Sequence, residues 1–264
     1  MSDVDFIVLD PSGGGEMLRA CIESIRKQST VAHSIIVFDN GSPQPVRVEG
    51  ARVIRSEKNI GFAGGVNEAY RQSAGEYIAL VNNDVVLDRD WLAITKQILD
   101  LDENVAAVQT IIRRDERTID GAGIDVSDGT FRQVGHGFPA GAALPQAWGV
   151  SATAALYRRT ALGERIFDSR FFAYYEDVEL CARLHDGGWR TVVVPVVKAT
   201  HRGSASASLL GARATRLRTR NRYLVARMHR GVGNIGALLA EDLKLLGRGR
   251  ASVWGMIEGL CSRL

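Results

Sequence analysis

Apolar and polar positions alternate along the chain in a pattern that predicts short strands separated by amphipathic helices. Buried strands are predicted at 5–9, 34–38, 51–54, 77–81, 105–112, 152–157 and 191–194. Helices are predicted at 17–25, 59–73, 91–99 and from 176 onward, where apolar residues recur at helical spacing. Strand and helix follow each other in turn, so we predict an α/β domain whose mainly parallel sheet is flanked by helices on both faces.

The segment 113–150 differs from the rest, because it is rich in Gly, Asp and Thr and has no helical period. We expect loops and short hairpins there, which form one wall of a cleft. The last strand is expected to end at 194, after which residues 195–201 leave the core. The chain contains no internal repeat.

The charge of the chain is unevenly distributed. A net charge of +3 conceals a basic tail, since residues 202–264 hold twelve Arg and Lys against three Asp and Glu. Apolar positions at helical spacing continue through this tail, so we predict a first domain over 1–210 and a basic, amphipathic helical extension over 211–264. Such a tail points to an anionic partner. The alternative is a set of solvated helices packed on the first domain.

Three cysteines, Cys21, Cys181 and Cys261, are too far apart for a zinc pair or a disulfide framework, which favours a reducing compartment. No basic-then-apolar leader follows Met1, and no apolar run approaches the roughly 18 residues of a membrane span. We therefore expect a cytoplasmic protein.

Four aromatic residues run directly into three carboxylates at 171–179. An apolar wall beside a carboxyl group limits its hydration and raises its pKa towards the range of a useful base. Such a stretch therefore favours a pocket edge that holds a catalytic acid. The alternative is an ordinary helix start, because acidic residues suit the first turn of a helix.

Polar residues also follow the predicted strands. Asp39 and Asp84 each come directly after a strand, and ligands of open parallel sheets bind outside the carboxyl ends of strands. His201 stands just beyond the last strand, and a carboxylate with one imidazole suits Mn²⁺ and tolerates Mg²⁺. Taken singly, each of these acids is more often a turn residue, and a single histidine is more often a surface or core filler. The recurrence of acids at one sheet edge favours a functional role for the pair.

Two glycine-rich loops lie at 12–15 and 59–65. Small residues at a strand-to-helix junction let a ligand approach backbone N–H groups. Neither loop has the Gly-Lys-Ser/Thr of a Walker loop or a dinucleotide fingerprint, so spacing alone leaves their function open.

Nine short segments form an ordered set along the chain. They are VFDNGS at 37–42, NIGFAGGVN at 59–67, LVNND at 80–84, SATAALYRR at 151–159, FDSRFFAYYED at 167–177, GWR at 188–190, VP at 194–195, His201 and RNR at 220–222. In this set the chain closely resembles the family 2 inverting glycosyltransferases with the GT-A fold, and in particular the bacterial rhamnosyltransferase-type branch. The match extends from residue 5 to about 225.

The resemblance implies a role for each matching position. Asp39 is expected to contact the nucleotide base of a sugar donor, beside Asn59, Gly64, Asn67, Asn82 and Asn83. Asp84 and His201 are expected to hold a divalent metal, Mg²⁺ or Mn²⁺, at the donor diphosphate. Asp177 is the expected catalytic base. The acceptor is expected to meet Trp148, Ser151, Ala152, Thr153, Glu176 and Glu179.

The implied reaction is inverting transfer of rhamnose or another hexose from a dTDP- or UDP-sugar. The implied acceptor is a glycan or a polyprenyl-diphosphate-linked sugar of the cell envelope, so the basic extension is expected to contact an anionic membrane at its inner face. Nucleic acid is not an expected partner, because basic and aromatic residues do not interleave. Two segments depart from the pattern of this family. One is the loop DPSGGG at 10–15, and the other is the PQP at 43–45 that follows the DNGS turn.

Two other functions fit parts of the pattern. A metal-dependent nucleotidyltransferase also uses a parallel sheet, glycine loops and acids, but the loop at 11–15 lacks the basic residue expected for a triphosphate. A nucleotide-sugar-binding module that has lost catalysis is the non-enzymatic alternative, and the presence of Asp84, Glu176, Asp177 and His201 counts against it.

Overall fold

The computed structural model describes residues 3–28, 31–203 and 210–262. Its strands are β1 (Val4–Asp10), β2 (His33–Asn40), β3 (Arg52–Ser56), β4 (Tyr77–Val81), β5 (Val85–Leu87), β6 (Val105–Arg113), β7 (Ile119–Gly121), β8 (Ile124–Asp125), β9 (Arg132–Gln133), β10 (Ala154–Arg158) and β11 (Arg190–His201). Its helices are α1 (Glu16–Arg26), α2 (Gly61–Arg71), α3 (Trp91–Leu101), α4 (Arg159–Leu162), α5 (Glu176–Asp186), α6 (Ala212–Met228), α7 (Ile235–Leu246) and α8 (Val253–Cys261).

A nine-stranded sheet forms the centre of the molecule, in the order β3-β2-β1-β4-β10-β6-β11-β5, with β7 beside β6. Its first four strands are parallel, as is the pair β6–β11. Strand β10 runs antiparallel between β4 and β6, and β5 and β7 are also antiparallel to their neighbours. The predicted α/β class is confirmed, and the sheet is mixed in its second half.

The position of β1 explains its sequence. All seven of its residues are buried, because β2 and β4 flank it and helices cover both faces. Successive side chains of a strand point to opposite faces, so Ile7 and Leu9 belong to one core cluster while Phe6 and Val8 belong to the other. The register places Asp10 beside Asp39 at the carboxyl edge of the sheet.

Strand β11 is longer than predicted. The sequence placed its end at Val194, whereas the structure continues it through Pro195 to His201. A proline has no N–H for a ladder bond, and the strand accommodates it where its register with β6 shifts between Val194 and Val197. The continuation pairs antiparallel with β5, which the sequence did not predict, and it aligns His201 with Val85.

The segment 113–150 forms short hairpins, as expected, including the two-stranded sheet of β8 and β9. Beyond residue 210, α6 and α7 contribute Tyr223, Leu224 and Leu238 to the same core cluster as the sheet. The domain boundary after 210 stays a prediction. Among the described residues, no helix has both the length and the apolar character needed to cross a membrane.

Candidate active site

A cavity of about 420 Å³ opens at the carboxyl edge of the sheet. It brings together Asp84 and Asp177, the two acids that the sequence assigned to separate tasks. Its described lining also includes Leu9, Phe62, Asn82, Asn83, Ile124, Phe131, Arg132, Gln133, Ser151, Ala152, Thr153, Ala173, Tyr174, Tyr175, Glu176, Val178, His201, Leu210 and Arg218.

One wall carries a carboxylate–imidazole pair. The turn between β4 and β5 places Asp84 at the strand end, and the pairing of β5 with β11 brings His201 next to it. The Asp84 Oδ1 lies 3.2 Å from His201 Nε2, and both side chains are largely buried. The backbone closes the same junction, because the Arg202 N–H donates to the Asp84 carbonyl at 2.9 Å.

A further acid, Asp120, supports this wall from outside the cavity lining. Its Oδ2 lies 2.7 Å from the His201 Nδ1. Burial alone lowers the pKa of His201, but the hydrogen bonds to Asp120 and Asp84 raise it to about 9. Asp120 lies in β7, inside a loop-rich segment with no local signal of function, and only the pairing of β7 with β6 brings it here. The sequence analysis did not identify it.

The donor set at this wall fits a hard divalent cation. In the structure both ring nitrogens of His201 face carboxylates, Nδ1 towards Asp120 and Nε2 towards Asp84. A neutral ring whose proton stays on Nδ1, held by Asp120, would offer its Nε2 lone pair to a cation beside Asp84. One carboxylate and one imidazole suit Mn²⁺ or Mg²⁺ with further oxygen ligands from elsewhere. The described residues contain no cluster of three or more His, Cys, Asp or Glu arranged to hold a metal by itself. A cation held by Asp84 and His201 would therefore need further ligands from outside these side chains.

Asn83 is tied to the loop that departs from the family pattern. Its Nδ2 donates to Asp10 Oδ1 at 2.5 Å, and the other oxygen of Asp10 accepts from the N–H groups of Gly13 and Gly14 at 3.0 and 2.7 Å. Asp10 is fully buried. Its carboxylate thus fixes the 11–15 loop against the floor of the cavity, a role that the sequence analysis did not assign to it.

Asp39 lies at the neighbouring strand end but outside the cavity lining. Its carboxylate accepts from the Ser42 N–H at 3.1 Å, the Ser42 hydroxyl at 2.5 Å, the Val46 N–H at 3.0 Å and the Arg55 guanidinium. Burial raises its pKa, yet these bonds outweigh burial and hold the pKa below the usual value. The structure thus uses Asp39 to order the turn after β2, and its contact with a nucleotide base stays a prediction.

Of the other residues predicted for the donor nucleotide, Asn82 lines the cavity together with Asn83. Asn59, Gly64 and Asn67 lie around α2, outside the described lining. Asn59 Oδ1 accepts from the Gly61 N–H at 2.9 Å. Asn67 is buried, and its amide joins α2 to the backbone of Ile166 and Phe167. Gly64 lies on α2 beside Ile60. The structure gives Asn59 and Asn67 internal partners, and nucleotide binding by these three residues stays a prediction.

The second wall holds the predicted base. Asp177 accepts from the Ala152 N–H at 3.3 Å and from the Val178 N–H at 2.9 Å, while the adjacent Glu176 has one carboxylate oxygen without a partner. Burial raises the pKa of Asp177 despite these bonds, and burial together with the Asp177 charge raises the pKa of Glu176. The aromatic stretch therefore surrounds a carboxyl pair that retains protons more readily than exposed acids do.

The backbone that leads to this pair is unusual. Tyr174 and Tyr175 have φ angles of 74° and 67°, in the left-handed region that residues other than glycine rarely adopt. Gly61, at φ 84°, lies against the same stretch, where a Cβ would fall 2.4 Å from the Phe172 carbonyl oxygen. The same Phe172 carbonyl accepts from the Phe62 N–H at 2.6 Å.

The predicted acceptor residues divide into two groups. Ser151, Ala152 and Thr153 line the cavity, and the Ser151 N–H donates to Gln109 at 2.6 Å. Glu179 lies outside the cavity lining, buried with its Oε1 3.3 Å from the Nε of Arg183. Trp148 lines a separate cavity of about 840 Å³, where its ring meets that of His185 edge to face.

The arrangement combines two chemical capacities in one cavity. Asp84 and His201 would hold a divalent cation, which would offset negative charge on a bound anion, and the Glu176–Asp177 wall offers a carboxylate of raised pKa that can take up a proton. Leu9, Phe62 and the two tyrosines supply apolar and aromatic surface between them. Such a site suits displacement of a nucleoside diphosphate by a hydroxyl group.

Comparison with known proteins identifies the family to which the chain belongs. The chain is 27% identical over 213 residues to the uncharacterised protein y4gI of Sinorhizobium fredii, covering 72% of this chain and 23% of that protein. It is 43% identical over 58 residues to N-acetylglucosaminyl-diphospho-decaprenol L-rhamnosyltransferase of Mycobacterium tuberculosis, covering 22% of this chain and 19% of that enzyme. The chain thus spans about a quarter or less of the length of these curated relatives.

Among solved structures, the mannosyltransferase PcManGT of Pyrobaculum calidifontis, in complex with GDP-Man and Mn²⁺, superposes with a TM-score of 0.61 at 17% identity. The superposition covers 98% of this chain and 73% of that one, and it confirms the predicted GT-A fold. The profile of the family described as Glycosyl transferase family 2 matches residues 13–166, more than half of the sequence. The chain therefore belongs to glycosyl transferase family 2.

Proposed function

We propose that the protein transfers a sugar from a nucleoside-diphosphate donor to an acceptor hydroxyl with inversion at the anomeric carbon. One observation carries this proposal: a single cavity contains both the Asp84–His201 pair and the buried Glu176–Asp177 carboxyls. A diphosphate binds best near a cation, and an acceptor hydroxyl needs a base, so both halves of the reaction have a place in one cavity.

On the donor side, Asp84 and His201 are the residues that would hold Mg²⁺ or Mn²⁺. When bound, such a cation offsets the charge that develops on the leaving diphosphate. Asp120 keeps the His201 ring oriented through its 2.7 Å contact with Nδ1. The complex of PcManGT with GDP-Man and Mn²⁺ supports this assignment, since that protein has the same fold.

On the acceptor side, Asp177 accepts the proton of the attacking hydroxyl. The hydroxyl oxygen forms a bond to the anomeric carbon while the bond from that carbon to the diphosphate oxygen breaks, and the proton passes to Asp177. The N–H groups of Ala152 and Val178 orient the carboxylate, and burial raises its pKa, which strengthens it as a base. A single displacement of this kind inverts the anomeric configuration.

For the substrates, we propose a dTDP- or UDP-sugar, with rhamnose first, and a glycan or polyprenyl-diphosphate-linked acceptor of the cell envelope. The 43% identity to a rhamnosyltransferase that acts on N-acetylglucosaminyl-diphospho-decaprenol supports this choice. A cytoplasmic enzyme with peripheral contact to the membrane would reach such an acceptor.

The C-terminal helices offer a surface for that contact. Val253, Trp254 and Ile257 of α8 are exposed, with Trp254 at 69%, and Arg248 and Arg250 precede them. Aromatic and apolar side chains next to cations favour an anionic lipid surface. Replacing Val253, Trp254 and Ile257 together by serine should reduce cosedimentation with phosphatidylglycerol vesicles several-fold. Equal binding of this variant and the wild type would exclude α8 as the contact.

The decisive experiment is a donor panel that includes dTDP-rhamnose, UDP-glucose, UDP-galactose, UDP-N-acetylglucosamine and GDP-mannose. Release of the nucleoside diphosphate is measured with Mn²⁺, with Mg²⁺ and with excess EDTA. We expect one donor to be turned over well, EDTA to abolish turnover, and proton NMR of the product to show inverted configuration. Retained configuration would refute the single displacement, and release of pyrophosphate from nucleoside triphosphates would favour a nucleotidyltransferase.

A further inference from the structure

We propose that Asn221 of α6 is a positioning residue, which holds the left-handed turn before α5 and thereby places Asp177 in the cavity. The inference rests on the proposed function of Asp177 as the base. It assigns to the C-terminal helix α6 a direct part in building the active site, in addition to its part in the core.

The turn needs an external support. Tyr174 and Tyr175 occupy left-handed conformations in succession, and side chains larger than glycine disfavour this region. Tyr175 is the last residue before α5, and its side chain does not cap the helix. Asp177 follows two residues later, so the path of the turn determines where the carboxylate points.

Asn221 supplies that support from a distant part of the chain. Its Nδ2 donates to the carbonyl oxygens of Ala173 and Tyr174, at 2.9 and 2.8 Å. The side chain is fully buried. The orientation of the amide is fixed, because its Oδ1 accepts from the Arg220 guanidinium at 2.8 Å and therefore directs the Nδ2 to the turn.

Neighbouring side chains of α6 contact the same stretch. The Arg218 guanidinium lies 4.3 Å from the centre of the Tyr174 ring, and the Arg213 guanidinium lies 4.1 Å from that of Phe172. Arg220 also donates to the Arg170 carbonyl at 3.0 Å. These contacts hold side chains and the start of the segment, whereas Asn221 bonds to two successive carbonyls of the turn itself.

The consequence is specific to the base. Asp177 accepts from the Ala152 N–H at 3.3 Å, and a relaxed turn would move its carboxylate relative to that group. Asp84 and His201 are held by the pairing of β5 with β11, which Asn221 does not touch. Loss of the Asn221 amide should therefore lower kcat and leave the KM for the donor sugar unchanged.

Two variants test this. Asn221→Asp keeps the shape of the side chain but removes the NH2 group. An ionised carboxylate has no donor for the two carbonyl oxygens, and a protonated carboxyl has one donor where two are needed. Asn221→Ser retains one donor and serves as the milder change. Misplacement of a catalytic group by about 1 Å costs on the order of 10²-fold in rate. We expect about this loss of kcat for Asn221→Asp and a smaller loss for Asn221→Ser, with the donor KM within about twofold of wild type.

The matched control is Arg216→Ala. Arg216 also lies on α6, but its guanidinium is bonded to Glu258 of α8, at 2.9 Å through Nε, rather than to the turn. Its kcat should equal that of the wild type. The proposal would be overturned if Arg216→Ala lost as much kcat as Asn221→Asp. It would also be overturned if Asn221→Asp raised the KM for the donor sugar and left kcat unchanged.

A second measurement does not depend on the donor. Hydrogen exchange followed by mass spectrometry should show at least about tenfold faster exchange over residues 172–178 in Asn221→Asp and Asn221→Ser, because local opening of that turn becomes more frequent. Peptides from β1 and β4 should exchange as in the wild type. Unchanged exchange over 172–178 would refute the role of Asn221 even if no sugar on the panel is turned over, whereas failure of the panel alone counts against the proposed function.

Discussion

The two walls of the cavity are built in different ways. The wall that holds Asp84 and His201 is made by strand ladders, since β5 pairs with β11 and β7 pairs with β6. The wall that holds Asp177 is made by an irregular turn, which depends on the backbone N–H of Phe62 in α2 and on the Asn221 side chain of α6. Backbone ladders repeat their hydrogen bonds along a strand, so one lost side chain changes them little. A turn held by single amides has no such redundancy.

This difference predicts that substitutions separate into two kinetic classes. Changes at the ladder wall should alter the response to the metal and the donor, while changes at the turn should alter the rate of the chemical step. The proposed positions of the metal and of the base are thus independently open to test.

The largest effect is expected for Asp177→Asn. An amide cannot accept the acceptor proton, and a positioned base contributes roughly 10²–10⁴-fold to the rate. We expect kcat to fall by about that factor. Binding of the nucleoside diphosphate with Mn²⁺, measured by calorimetry, should be unchanged. Near-normal turnover would show that the turn wall does not carry the base, and Glu176→Gln would then be the variant to compare.

A smaller effect is expected for Asp120→Asn, on the ladder wall. The amide removes the charge that orients His201, and loss of such a partner typically costs about 10–100-fold in metal affinity or activity. The Mn²⁺ concentration for half-maximal turnover should rise by about this factor. The exposed Glu116 of the same loop provides the control, because Glu116→Gln should leave the Mn²⁺ response unchanged. If Asp120→Asn left the Mn²⁺ response unchanged, the orientation of His201 by Asp120 would not contribute to metal binding.

The smallest effect is expected in the dependence of kcat on pH, where the acidic limb should be shifted to higher pH. The base acts only when deprotonated, so the rate rises with pH through its pKa and falls tenfold per unit below it. Burial raises the pKa of Asp177, so the acidic limb of kcat should lie above the ordinary aspartate value of about 3.9. The limb should persist in Asp120→Asn and disappear in Asp177→Asn. If Asp120→Asn abolished the acidic limb, the base and the metal would not be held by separate walls of the cavity.

Much of the fold could be predicted because burial leaves a local signature. The central strands β1, β2 and β4 contain apolar runs at 6–9, 35–38 and 77–81, and Asp84 follows the last of these after two asparagines. The aromatic–acid stretch likewise identified Asp177 from adjacent residues. The rest depended on pairings between distant segments, such as β11 with β5, which no local period encodes.

The site shows the same limit in individual residues. Trp148 and Glu179 carried the expected residue types, yet the structure directs Trp148 to a second cavity and buries Glu179 beside Arg183. Asp10, Asp120 and Asn221 gave little signal, because their importance lies in which carbonyl, amide or imidazole each one meets.

The sequence by itself determined the α/β class, the strand ends that carry acids and the aromatic stretch that raises the pKa of a carboxyl group, because each of these follows from the chemistry of neighbouring residues. Only the tertiary structure decided that His201 meets both Asp84 and Asp120, and that Asn221 supports two left-handed tyrosines. The physical reason is that a hydrogen bond depends on the distance between two atoms in space, which chain separations from 47 residues (Tyr174 to Asn221) to 117 residues (Asp84 to His201) do not specify.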